Sequence, residues 1–297
     1  MSLTSMRKTI AALAAASAIA LAAPAVAQDE EGDTATSADP YADTVFSGDY
    51  LSVGVGVALN PSYSGSNDYV VTPLPIVQGS LKGVDINPRP AGLALDFLQD
   101  PEDGPGFDLG IAARLRSDRA MQISDPVVKS LGKLDRAFEI GPTAGVSFAQ
   151  VLNPYDSLTL TTDVRWDIAG AHDGMVVDPS IAYFTPVSEG VAGSLTVSAS
   201  YGDSDFHDYY YTVTPAQSLV TGGELPVYTP DGGGFTSVGT TLLVGVDLDG
   251  NLANGGWALI AIGGYSRLLG DAKDTPFTSV RGSANQFLGV LGVGYTF

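Results

Sequence analysis

Two histidines, His172 and His207, are the only imidazoles in the chain. Hydrolysis by an activated serine needs such a base, oriented by an acid or amide and brought to the nucleophile in space. His207 lies between Asp205 and Asp208, and His172 lies in a short loop bounded by Gly170 and Gly174. Both read as solvated loop histidines, so no catalytic residue is assigned and the chain is not read as an enzyme. Asp247, Asp249 and Asn251 have the opening spacing of a calcium loop. The glycine at the sixth position and the glutamate at the twelfth are missing, and Asp249-Gly250 is ordinary hairpin-turn chemistry. No metal or cofactor site follows. The remaining chemistry is charge. Asp108, Arg114, Arg116, Glu139, Asp163, Arg165 and Asp167 sit at alternate positions within otherwise apolar segments.

That alternation identifies the elements that must carry them. In residues 157–169, Leu158, Leu160, Val164, Trp166 and Ile168 alternate with Ser157, Thr159, Asp163, Arg165 and Asp167. A period of two is a strand with one apolar and one polar face. Residues 51–59, 107–116 and 137–149 show the same pattern, and further segments lie near 72–79, 90–98, 176–187, 190–202, 235–248, 255–267 and 285–297. Most exceed the ~5–6 residues of globular strands and match the roughly 9–11 of a tilted membrane strand. Alternation by itself fits both a lipid-facing barrel and a soluble one with its apolar face inside.

The ends of the chain favour lipid. Arg7 and Lys8 precede an apolar stretch that closes in Ala25-Val26-Ala27, the order of a secretory signal peptide cleaved after Ala27, with Ala25 and Ala27 as its small residues. Residues 28–47 hold six acidic side chains and no basic one, so this stretch is read as a mobile periplasmic tail. Counting back from Phe297 in twos gives Tyr295, Val293 and Leu291, an aromatic-ended alternating strand of the kind the outer-membrane barrel-assembly machinery recognises. The organisation expected is thus a signal peptide (1–27), an acidic tail (28–47) and an outer-membrane barrel (48–297).

Composition agrees. The chain has no cysteine, 36 glycines and a net charge of −19. Removing Arg7 and Lys8 leaves 12 basic and 33 acidic side chains, net −21. Such a balance excludes nucleic acid as a partner, because phosphate binding needs a basic surface. The fold expected is all-β: an antiparallel transmembrane β-barrel of about twelve strands, with ten or fourteen as alternatives. Eleven segments are visible, and strand parity demands one more. The stretch 70–98 is where it should hide, divided at Gly79, Gly83 and Pro88. The same parity places 117–136, 203–234 and 268–284 outside the cell. Tyr50, Tyr69, Phe184, Tyr201 and Tyr295 become candidates for the interfacial girdles. The charged rows should line a narrow, gated or occluded lumen, preferring cations if it conducts.

Residues 60–69 (NPSYSGSNDY) with Pro73-Leu74-Pro75, residues 265–272 (YSRLLGDA), residues 281–287 (RGSANQF) and the closing GYTF resemble the MipA/OmpV outer-membrane family, as does the stretch from Arg114 to Gly141. The resemblance implies a scaffold that links a membrane-bound lytic transglycosylase to a penicillin-binding synthase during peptidoglycan remodelling. Other members of the family look like porins or adhesins, so a small-solute channel and a surface adhesin stand as alternatives. The partners expected are outer-membrane lipid, the assembly machinery and those two cell-wall enzymes. The sequence leaves the oligomeric state open.

Overall fold

A computed structural model describes residues 44–99, 101 and 104–297. The cleavage site and nearly all of the acidic tail lie outside the described residues. Twelve strands run antiparallel in sequence order: β1 (Tyr50–Pro61), β2 (Tyr69–Leu81), β3 (Val84–Arg89), β4 (Gly92–Asp96), β5 (Gly106–Arg116), β6 (Ala137–Ala149), β7 (Ser157–Asp167), β8 (Met175–Ser188), β9 (Val191–Gly202), β10 (Gly234–Asp247), β11 (Gly256–Leu268) and β12 (Asn285–Thr296). β12 returns to pair with β1, from Ser52↔Thr296 to Leu59↔Gly289, and closes the barrel. Closure leaves no free terminal edge, the condition for a sheet in lipid.

The missing strand lies in the 70–98 stretch, and of the three expected dividing points Gly83 is one. Lys82 and Gly83, both at positive φ, make a two-residue turn, and the chain turns again at Pro90-Ala91 between β3 and β4. Gly79 and Pro88 lie inside strands, and the segment expected at 90–98 begins in the second turn and continues as β4. β3 and β4 have 6 and 5 residues, fewer than a span needs.

Side-chain parity is consistent around the ring. Val53, Val55, Val57 and Leu59 of β1 point outward and are 38–60% exposed, as lipid-facing side chains are when no lipid covers them. Exposed aromatics form two belts. Tyr69, Phe138, Trp166, Phe235, Tyr265 and Phe287 stand at one end, while Phe107, Phe148, Trp257 and Phe297 stand at the other. Ring pairs stiffen both belts, as in Tyr265–Phe287 at 5.4 Å and Trp257–Tyr295 at 5.1 Å. Tyr69, Tyr201 and Tyr295 thus take girdle positions. Tyr50 and Phe184 share parity with Ser52 and Asp178 and point inward.

The two rims differ in length. Thr44 and Phe297 lie at the rim closed by short connections, such as Glu189-Gly190 and the turn that follows Asp247. The opposite rim carries the long connections 117–136, 203–233 and 269–284. Short turns mark the periplasmic side of outer-membrane barrels and long loops the outside. On the inner face at the closing seam, Gly54 pairs with Gly294 and Gly56 with Gly292. A Cβ on Gly56 would lie 2.8 Å from the Leu291 carbonyl oxygen, so this wall has to stay bare.

Candidate functional site: a charged lumen wall beneath a folded lid

Five strands bring their inward charges together in the outer half of the lumen. Glu139 of β6 is fully buried and accepts from Arg116 Nε of β5 at 2.5 Å and Arg165 Nε of β7 at 3.4 Å. Its Oε1 also lies 3.3 Å from His172 Nε2. Arg165 donates to Asp163 at 2.9 Å and pairs with Asp178 of β8, which Arg114 approaches at 3.6 Å. Arg89 of β3 reaches Asp163 at 3.0 Å, and Thr143 Oγ1 donates to the same carboxylate at 2.7 Å. Asp163 and Asp178 face each other directly in the β7–β8 register. Two carboxylates so placed repel, and the guanidiniums between them turn the repulsion into a bridge.

Of the seven expected lumen charges, Arg114, Arg116, Glu139, Asp163 and Arg165 meet in this cluster. Asp108 is on the inner face but near the periplasmic end of β5. Asp167 instead serves its loop: its carboxylate accepts from the backbone N–H of Phe138, Ala169, Ala171 and His172. Two members were not foreseen. Arg89 is hidden in a proline-rich stretch that reads as a turn, and Asp178 follows Met175-Val176-Val177, an apolar run in which only strict parity would have marked it. The cluster holds four guanidiniums against three carboxylates. Within it, Arg114 Nε and Arg116 Nη2 are buried without a protein acceptor among the described residues. The lumen is therefore graded along its axis, with Asp85, Asp96, Asp108 and Asp247 towards the periplasm.

Above the cluster the outer loops fold over the mouth. They contain the short helices α1 (Pro126–Ser130), α2 (Ser204–Tyr211), α3 (Pro215–Val220), α4 (Gly270–Asp274) and α5 (Pro276–Ser279). Asp125 and Asp203 cap α1 and α2, and Thr214 with Gln217 forms a reciprocal capping box on α3. Two apolar clusters hold the loops together. Tyr63, Val128, Val213, Leu225 and Phe277 form one, while Phe206, Tyr210, Tyr211, Leu268 and Ala272 with Val176 form the other. Arg281 ties Asp125 at 2.8 Å to Glu224 at 3.3 Å. Arg119 stacks 4.0 Å from the Phe277 ring centre and donates to the Tyr210 carbonyl. The lid rests on the charged wall through Arg116, whose guanidinium lies 4.8 Å from the Phe206 ring centre.

Both histidines depart from expectation: they are 3% and 1% exposed rather than solvated. Burial demands partners, and His207 finds them far along the chain. Its Nδ1 lies 2.8 Å from Asp271 and its Nε2 3.3 Å from the Gly234 carbonyl, while the adjacent Asp205 and Asp208 are not its partners. Asp271 also accepts from Tyr228 Oη at 2.7 Å. Burial pushes the Asp271 carboxyl up, but the bonds from Tyr228 and His207 outweigh it and hold it below the usual carboxylate range. Burial and the neighbouring Asp125 push the Tyr63 phenol up to about 12. Asp247 acts as turn chemistry, accepting from the backbone of Asp249 and Gly250. Among the described residues no group of acids and histidines is placed to hold a metal.

The sign for Asp271 is fixed by its lowered pKa. Its bonds stabilise the lid at all pH values above the ordinary carboxylate range near ~4 and are lost as pH falls through the lowered value. The lid should therefore resist proteolysis within 203–233 at pH 7 and open to an acid-active protease as the pH falls below the ordinary carboxylate range. Asp271→Asn should expose the same peptide bonds at neutral pH. Equal cleavage of both proteins at pH 7 would remove Asp271 from the lid's support.

Leu291, Val293, Tyr295 and Phe297 line one outer stripe of β12, and the Phe297 N–H donates to Leu51 at 2.9 Å. This is the closing seam of the barrel. No curated protein matches the chain. Among solved structures, the COG4313 outer membrane channel from Pseudomonas putida F1 is similar at 13% identity, over 84% of this chain and 96% of that one, with a TM-score of 0.44. OmpT of Vibrio cholerae is similar at 8% identity, over 84% and 97%, with a TM-score of 0.33. The sequence model of the MltA-interacting protein MipA matches residues 53–297, from the first barrel strand to the last residue. The chain is an outer-membrane β-barrel and belongs to the MipA family.

Proposed function

We propose that the barrel is a periplasmic docking scaffold for a lytic transglycosylase of the MltA kind, the enzyme in its family's description. The observation that carries this reading is the contrast between the two rims. The outer mouth lies under a lid cross-linked by two apolar clusters and three arginine contacts, an arrangement suited to holding a barrel shut. The periplasmic rim presents Asp49, Glu189 and Asp249, with Lys82 as the one basic residue among the described turns there. Between the turns at 189–190 and 248–250 lies an open hollow of about 460 Å³ lined by Glu189, Asp247, Gly190 and Gly250. A basic side chain of a partner fits such a hollow by charge, and rim charges of this kind set association rate and salt dependence. The penalised surface for such a partner is the outer rim, where Arg267, Lys273 and Lys129 lie.

The test is capture of the purified transglycosylase by the full barrel in nanodiscs. Glu189→Lys with Asp249→Lys should weaken capture about tenfold or more, the scale of a lost close charge pair, and should flatten its salt dependence. Unchanged affinity in the reversed variant would end the rim reading. A second enzyme, the penicillin-binding synthase, would join the same complex as a ternary species on gel filtration.

A further inference from the structure

The ring of strands is closed at β2–β3 by three residue pairs alone: Gly79↔Ile86, Ser80↔Asp85 and Leu81↔Val84. From Tyr69 to Gln78, β2 pairs with β1 and, among the described residues, with no strand on its other side. Backbone parity says which groups face that gap. The Phe297 N–H bonds to Leu51, so odd residues of β1 bond towards β12 and even ones towards β2. The partners of those even residues are even in β2, as in Gly54↔Ile76 and Gly56↔Leu74. The odd residues of β2, Val71, Pro73, Pro75 and Val77, therefore aim their backbone at β3. Leu81 and Val84, which flank the two-residue turn, agree with this assignment.

Extending the register beyond Gly79↔Ile86 would set Val77 against Pro88, Pro75 against Pro90 and Pro73 against Gly92. Four of these six positions are prolines, which have no N–H to give. The ladder cannot continue, and proline in a sheet belongs where its missing donor faces an open edge. The same lack of donors makes the edge unfit to receive a strand from another protein, since strand addition depends on main-chain hydrogen bonds.

The walls on either side of this seam have different chemistry. Inside β2, Val70, Leu74 and Ile76 face the lumen, and Leu74 and Ile76 look across the bare Gly56 and Gly54 of β1 to Gly292 and Gly294 of β12. On the far side, β3 begins the charged wall with Arg89, and two strands on Arg114 keeps an Nε without a protein acceptor. An apolar strip thus runs from the lipid-facing Val71 and Val77 through the seam to the outer charged cluster, which holds one guanidinium in excess. We infer that the β2–β3 seam is a lateral portal that admits a single-chain anionic amphiphile from the bilayer, with its chain along Leu74 and Ile76 and its carboxylate at Arg114 and Arg116. This inference does not depend on the docking role of the periplasmic rim.

The chain has no cysteine, which permits a clean test. The full barrel in nanodiscs is irradiated with a diazirine-bearing palmitate, and labelled sites are mapped by mass spectrometry. Labels should fall on the inward residues Leu74 and Ile76, be displaced by oleate, and be displaced far less by oleyl alcohol. In Val77→Cys with Pro88→Cys, oxidation should clip the seam and cut the inward labelling about tenfold, and reduction should restore it. Ile76→Glu, which leaves the backbone pairing with β1 intact, should lose the label without loss of heat-modifiable mobility. Labels confined to outward residues, a clipped barrel labelled as fully as the reduced one, or cysteines that fail to bridge would each overturn the portal. Equal displacement by oleyl alcohol would overturn the anionic ligand.

Discussion

Glu139→Ala is expected to remove about 3–5 kcal/mol of folding free energy, the loss found when one partner of a buried ion pair is deleted. Glu139 is the hub of the wall: it accepts from Arg116 and Arg165 and faces His172, and none of its surface is exposed. Its loss would leave Arg116 and Arg165 buried with a cationic surplus that lipid and lid cannot solvate. The measurement is urea unfolding of the barrel into bilayers. Glu139→Gln, which keeps the shape and one acceptor, should fall between wild type and alanine. Combining Glu139→Leu with Arg116→Met should recover a large share of the loss, because replacing both partners by apolar groups removes the stranded charge. An alanine variant within about 1 kcal/mol of wild type, the range of an exposed pair, would show that Glu139 carries no such load.

The same residue shows what the sequence could reveal. Its charge, its parity and its lumen face were all legible, because strand period fixes which way a side chain points. Its partners were partly legible: the β5–β6 register sets Glu139 opposite Arg114, which leaves Arg116 one diagonal step away on the same face. Arg89 was not, since it reaches Asp163 across four strands and lies in a segment whose prolines suppress the strand signal. Pro73 and Pro75 carry the family resemblance and Pro88 reads as a divider, yet their physical meaning emerges only from the register of β2 against β3. The histidines were misread for a related reason. A loop residue is exposed by default, and only the meeting of loops far apart in sequence buries His207 against Asp271. Local pattern cannot report such a contact. The lid as a whole belongs to this class: its helices are 4 to 8 residues long and gain their order from packing on one another.

Excision of residues 205–231, with the ends joined by a short glycine–serine link, should raise single-barrel conductance in planar bilayers by about tenfold or more, the change expected when a loop plug leaves a barrel of this width. The segment supplies Phe206, His207, Tyr210, Tyr211, Val213 and Leu225, so both apolar clusters lose their centres together. Arg116 then loses the Phe206 ring above it, and Asp271 loses both His207 and Tyr228. The strands themselves should persist, because β9 and β10 are held by a ladder from Val191↔Val246 up to Gly202↔Gly234, with one bulge at Thr236. Unaltered heat-modifiable mobility would confirm that the barrel is intact. This experiment also separates the two leading roles. A docking scaffold should capture its transglycosylase equally well with and without the lid, since the acidic turns lie at the opposite rim. A channel should gain conductance with no gain in capture, and its gating would then reside in the His207–Asp271–Tyr228 contacts. If the excised barrel conducts no better than the whole one, the closure lies lower, at the Arg165–Asp163–Asp178 bridge. The charged wall, rather than the lid, would then be the plug.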